Sequence, residues 1–147
     1  MVDVITSINI AAPIDKVAAY AMDQEHAPEW YVNIKSVEWL TSGPLALGSK
    51  FAFVAYFLGR KLAYVYEVVK LTETELVMST SDGPFPMETT YLFEKIDENT
   101  TTMTLRNRGT PSGFSKLFSP FMSSMMRSAN KKDLQSIKRI IEKMNQP

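Results

Sequence analysis

The sequence predicts an α+β domain in which a curved, seven-stranded antiparallel sheet wraps round a long C-terminal helix. Three observations predict it: a central series of apolar-alternating runs separated by very short turns, a brief helical stretch after the first run, and one long amphipathic stretch at the end.

Val2 to Ile10 alternates, with Val4, Ile8 and Ile10 on one face and Ser7 and Asn9 on the other, which is a strand. It stops at Ala12-Pro13. Val17, Tyr20 and Ala21 then recur at helical spacing, behind a proline whose missing N–H would be unpaired in a first turn anyway. Ala27-Pro28-Glu29-Trp30-Tyr31 reads as a second short helix entered through Pro28. Strands follow at about 34–41, 49–58, 60–71, 75–81, 87–97 and 100–108, punctuated by Gly43-Pro44, Gly59-Arg60, Thr72-Glu73, Asp82-Gly83-Pro84 and Glu98-Asn99. Connections this short force antiparallel neighbours.

Successive strand side chains point opposite ways, so parity assigns the faces. One face carries Phe51, Phe53, Leu62, Tyr64, Tyr66, Val68, Leu76, Met78, Tyr91, Phe93, Met103 and Leu105. The other carries Lys70, Glu88, Glu94, Thr104, Arg106 and Arg108, with Val54, Tyr56, Val65 and Val69 among them. The last helix starts near Ser119-Pro120 and runs to about Met144. Met122, Met125, Met126, Ala129, Ile137, Ile140 and Met144 fall in one stripe that must be buried, and a half-buried sheet curling round it is the economical packing.

Composition narrows function. A chain of 147 residues with 45% apolar and 22% charged residues suits one globular domain, 1–147, with a real core. Lys plus Arg and Asp plus Glu are both 16, so no net field gathers nucleic acid or an anionic membrane. The longest apolar run, Phe51 to Leu58, is far short of a membrane span, and Met1-Val2-Asp3-Val4 does not open a secretory signal, so a cytoplasmic address is expected. Zero cysteines and one histidine argue against disulfides, thiolate or multi-histidine metal sites and thiol nucleophiles, so neither metal nor cofactor is expected.

Taken in order, the first strand, Ala12-Pro13-x-x-x-Val17, Trp30, Gly48 before a Phe-rich strand, Gly59-Arg60, Glu67-Val68, a Thr-rich final strand and Asp133-Leu134-x-x-x-Lys138-x-x-x-Glu142 resemble the polyketide cyclase/dehydrase and lipid-transport proteins of the START/Bet v 1-like (SRPBCC) helix-grip superfamily. The resemblance covers nearly the whole chain. It implies a cavity between sheet and C-terminal helix that binds sterols, polyketides, lipids or hormones in various members. It transfers no catalytic residue.

Gly43-Pro-Leu-Ala-Leu-Gly48-Ser49-Lys50 nearly matches a phosphate-binding loop, but the Lys and Ser are reversed and a strand follows, so it is a turn and loop. His26 reads as a surface helix cap, and Asn99-Thr100-Thr101 as a hairpin turn rather than a glycosylation sequon. Glu67 and Glu88 fall on the convex face, where solvent prevents the pKa shift an acid/base pair needs. Arg106 and Arg108 are expected to pair with Glu88 or Glu94 rather than hold an anionic headgroup. Asp133 sits inside the apolar stripe, and a nearby lysine is its expected partner, with the cavity mouth as the alternative.

The proposed ligand-binding residues are Phe51, Phe53, Tyr64, Tyr66, Met78, Met87, Tyr91, Phe93, Met103, Met122, Met125 and Met126. Methionines make adaptable, polarizable walls, here with Met122, Met125 and Met126 set opposite Met78, Met87 and Met103. Tyr64, Tyr66, Thr80, Thr89, Tyr91 and Asn107 add polar tips on the same face. Phe114 to Met122, flanked by Lys116 and Arg127, is a gate, a patch for transient membrane contact, or plain packing on the sheet edge. The expected activity is binding or transport of a small hydrophobic or amphipathic ligand. The alternatives are an aromatic cyclase or dehydratase using Tyr64, Tyr66 or Tyr91 for proton transfer, and a filled-core protein-interaction domain. An ionisable cavity group with a strongly perturbed pKa would favour the enzyme.

Overall fold

The alternating runs of the sequence become seven strands and its three helical stretches become the helices that cover them. The computed structural model describes residues 2–57, 59–82, 86–109 and 119–146. In chain order the elements are β1 (Val2–Ile10), α1 (Ile14–Met22), a single 3-10 turn (Gln24–His26), α2 (Ala27–Trp30), β2 (Ile34–Trp39), β3 (Lys50–Phe57), β4 (Arg60–Leu71), β5 (Glu75–Asp82), β6 (Met87–Asp97), β7 (Thr100–Gly109) and α3 (Ser119–Met144).

All the strands join one antiparallel sheet ordered β1-β7-β6-β5-β4-β3-β2. The meander from β2 to β7 follows from its tight turns, and β1 closes on β7 with Val4 opposite Asn107 and Ile8 opposite Met103. Register shifts at Ile34/Ser36, Val65/Tyr66, Val68/Lys70 and Lys95/Asp97 interrupt the ladders. Each such irregularity adds twist and bend, which is how the sheet acquires its curl. Gly43 and Gly48 take φ of 88° and 86°, left-handed values open to glycine at no steric cost, and turn the β2–β3 loop. Ser49 Oγ accepts from the Ala46 N–H (3.0 Å) and β3 follows at once, so this segment is the expected loop.

The concave face packs against α1, α2 and α3. Trp30, Phe51, Leu76, Tyr91, Met103, Leu105, Leu134 and Ile137 are all sealed from solvent in this core. Every residue assigned to the concave face by parity is buried or half-buried. On α3 the buried line runs Met122, Met126, Asn130, Asp133, Leu134, Ile137, Ile141. The stripe read from sequence is thus displaced: Leu134 and Ile141 belong to it, whereas Met144, one turn further on, is 65% exposed. The helix end is tied to the β1–α1 corner, with the Ala11 N–H donating to Glu142 Oε2 (2.8 Å) and Lys138 Nζ to the Asn9 carbonyl (2.9 Å) and to Glu142.

Arg108 pairs with Glu88 (2.7 Å) on the convex face, as its strand position requires, but Arg106 does not use Glu88 or Glu94. It grips Asp3 of β1 through two hydrogen bonds of 2.9 and 2.7 Å, because β1 is the other neighbour of β7. Glu67 lies at the surface near Lys50 (3.7 Å). No described helix is long and apolar enough to cross a membrane. The part of the Phe114–Met122 segment before residue 119 lies outside the described residues; Phe121 is 64% exposed and Met122 is buried.

Candidate functional site

The concave face, α2 and α3 bring most of the sequence-predicted site residues into one interior. Phe51, Phe53, Met78, Tyr91, Phe93 and Met103 are buried in the main core cluster, and half-buried Tyr66 packs against it. Tyr64 is buried and Met125 half-buried. Met122 and Met126 form a second cluster with Val2 and Val4, against which Met87 packs. The expected face-off of three helix methionines with three sheet methionines is therefore corrected. Met87 lies at the start of β6, opposite Gly109 at the end of β7, and meets the helix there, while Met78 and Met103 sit further along their strands in the main cluster. Parity gives the face of a side chain but not its distance along the cup.

Polar groups run through this apolar wall. Thr89 Oγ1 donates to Asn107 Oδ1 (2.6 Å) and Asn107 Nδ2 to Asn130 Oδ1 (3.2 Å), which links β6, β7 and α3. The Tyr31 and Tyr91 hydroxyls share a 2.6 Å hydrogen bond between the α2–β2 connection and β6. Burial pushes the phenols of Tyr31, Tyr64, Tyr66 and Tyr91 upward, so all four stay neutral near pH 7.

Asp133 is 4% exposed, and its partner is not a lysine. Its Oδ1 accepts the Val32 N–H at 2.8 Å, and among the described residues it makes no ion pair. Desolvation raises its pKa to about 7, with the Val32 hydrogen bond pulling the other way. Tyr31 and Tyr91 lie within its electrostatic reach.

Tyr31 and Tyr66 are half-buried and pack against the main core cluster. Among the described residues Gln24 Oε1, Trp30 Nε1 and Asn130 Nδ2 are buried with no hydrogen-bond partner. Such atoms are costly unless water or a ligand supplies the bond.

Sequence reasoning missed Tyr31, Trp30, Gln24 and Asn130 as interior polar groups. For Asn130 a signal existed, since it precedes Asp133 by one helical turn on the same buried face. Outside the cup, a surface groove of about 590 Å³ is lined by Met22, Trp39 and Leu45. His26 is half-exposed there in the next groove, stacked on Tyr20 (4.2 Å) and bonded to Glu29 (3.0 Å); it holds the N-cap position of α2, but its side chain does not cap.

Residues 1–142 match the family described as "Polyketide cyclase / dehydrase and lipid transport". The chain belongs to this polyketide cyclase/dehydrase and lipid-transport family. No functionally curated protein matches the sequence. Solved structures of similar fold include a protein of Thermus thermophilus (19% identity, TM-score 0.84, covering 98% of this chain and 99% of that one). The Zhui aromatase/cyclase of Streptomyces is 14% identical with a TM-score of 0.83, covering 98% of this chain and 95% of its own. A START superfamily protein of Mycobacterium smegmatis is 14% identical with a TM-score of 0.82, covering 97% and 99%. At these identities the likeness is one of fold, and it is the START/Bet v 1-like helix-grip fold. Within that family frame the described interior offers burial, neutral phenols and amides, and one carboxyl whose proton equilibrates near neutrality.

Proposed function

We propose that the protein binds a small hydrophobic or amphipathic molecule between the concave face of the sheet and α3. The observation that carries this reading is an interior of apolar side chains under the curled sheet in which the polar atoms Gln24 Oε1, Trp30 Nε1 and Asn130 Nδ2 are buried without partners, a mix of apolar wall and unsatisfied polar groups that suits a small-molecule site. Family membership supports it, since the family spans lipid transport and polyketide cyclisation. The ligand-contacting set is Phe51, Phe53, Tyr64, Tyr66, Met78, Met87, Tyr91, Phe93, Met103, Met122, Met125 and Met126, joined by Tyr31 and Asp133. Native mass spectrometry of protein purified from its own host tests the reading. A discrete lipophilic adduct of a few hundred daltons is expected; a clean apo mass with no thermal shift from sterols, fatty acids, quinones or polyphenols would contradict it and favour a filled-core interaction domain.

A second reading has a specific observation behind it. Asp133, with a pKa of about 7 beside the Tyr31–Tyr91 pair, is poised to take a proton from a bound chain, as a cyclase or dehydratase requires. The Zhui neighbour is an aromatase/cyclase. Turnover of a reactive polyketide mimic that is lost in Asp133→Asn would establish it.

A further inference from the structure

We infer that the cup selects amphiphiles whose head donates a hydrogen bond, an amine or an alcohol, over carboxylates and phosphates, with Asp133 as the acceptor. The inference rests on the binding reading above. Asp133, buried on α3, is held by the Val32 N–H of the α2–β2 connection (2.8 Å), and Tyr31 and Tyr91 lie within its electrostatic reach. A carboxylate offers about four lone-pair sites, and the Val32 N–H takes one, on Oδ1. Oδ2 has no hydrogen-bond partner among the described residues, and neither does Gln24 Oε1, so two acceptors are open.

Among the described residues no Lys, Arg or His side chain is buried. An anionic head would therefore meet a carboxyl with no cation to offset either charge, and a buried unpaired charge is strongly disfavoured. The open donors Trp30 Nε1 and Asn130 Nδ2 are neutral; they suit a hydroxyl or carbonyl oxygen and do not balance a full charge. An ammonium head gains a charge-assisted hydrogen bond to Asp133 instead. The titratable groups facing Asp133 are Tyr31 and Tyr91, with Tyr66 next to both, and all three stay neutral near pH 7. Among these groups, Asp133 is the one whose charge changes in that range.

Calorimetry of the full chain with decanol, decylamine and decanoate tests this. Decanol and decylamine are expected to bind, with decanoate weaker than decanol by about tenfold or more. If only the ionised carboxyl takes the ammonium, amine affinity rises about tenfold from pH 6 to pH 8, as the competent fraction grows. Asp133→Asn, whose amide oxygen still serves the Val32 N–H, is expected to abolish that pH dependence and to weaken decylamine relative to decanol at pH 8. Decanoate binding as tightly as decanol, or an unchanged amine profile in Asp133→Asn, overturns the head-group inference while leaving the binding reading intact. Failure of all three compounds to bind removes the binding reading, and this inference with it.

Discussion

Replacing Asp133 by asparagine should make the protein more stable at pH 8 while changing little below pH 4. Burial raises this carboxyl from 3.8 to about 7. A raised folded pKa means that the folded state binds the proton more tightly than the unfolded chain. The stability linked to that proton is complete below about 4 and is lost as pH climbs to about 7. The full shift corresponds to about 4 kcal/mol, and the part falling between pH 5 and 8 to about 3 kcal/mol. Asparagine has the same shape, keeps an oxygen for the Val32 N–H and carries no charge, so it escapes this loss. Urea unfolding followed by tryptophan fluorescence, with Trp30 wholly buried as reporter, gives the stability of both proteins at each pH. Subtracting one protein from the other cancels the carboxylates they share. The gain from Asp133→Asn should grow by about 3 kcal/mol between pH 5 and pH 8, or roughly 6–12 °C in Tm. A gain that is equal at both pH values within about 0.5 kcal/mol would refute the reasoning, because it would mean that Asp133 does not titrate between them.

Tyr91→Phe strands the Tyr31 hydroxyl in the interior and should cost about 1–3 kcal/mol in urea unfolding, with weaker ligand binding. Met103→Ala empties a fully buried position and should cost about 2–5 kcal/mol, whereas Met144→Ala, on the exposed end of α3, should stay within about 0.5 kcal/mol in the same assay.

Much of the fold is legible because its signals are local. Turn residues every few positions mark Thr72 and Glu98 as corners, alternation assigns Phe51, Phe53, Tyr91 and Phe93 to one face, and the helical stripe from Met122 onward has to be covered. What escapes is non-local or lies in the backbone. The β1–β7 pairing joins the two ends of the chain, so the Asp3–Arg106 contact has no neighbourhood in sequence. The partner of Asp133 is a peptide N–H, which carries no side-chain signature, and a search for opposite charges passes over it. The methionines divide between two clusters by their depth along each strand, which alternation does not encode. Tyr31 enters the interior only because α2 folds over the cup, and no periodicity announces that.

The central claim is that ligand occupies the cup and not the surface. The methionines report it directly: Met78, Met87, Met103, Met122, Met125 and Met126 line the interior, while Met22 lines the surface groove and Met144 is exposed. With the methionine methyls labelled with carbon-13 and assigned, titration with decanol or with the ligand extracted from the native protein should shift the interior methyls in one saturable process and leave Met22 and Met144 in place. Shifts confined to Met22 would move the site to the surface groove, and interior methyls that stay put throughout would contradict the account.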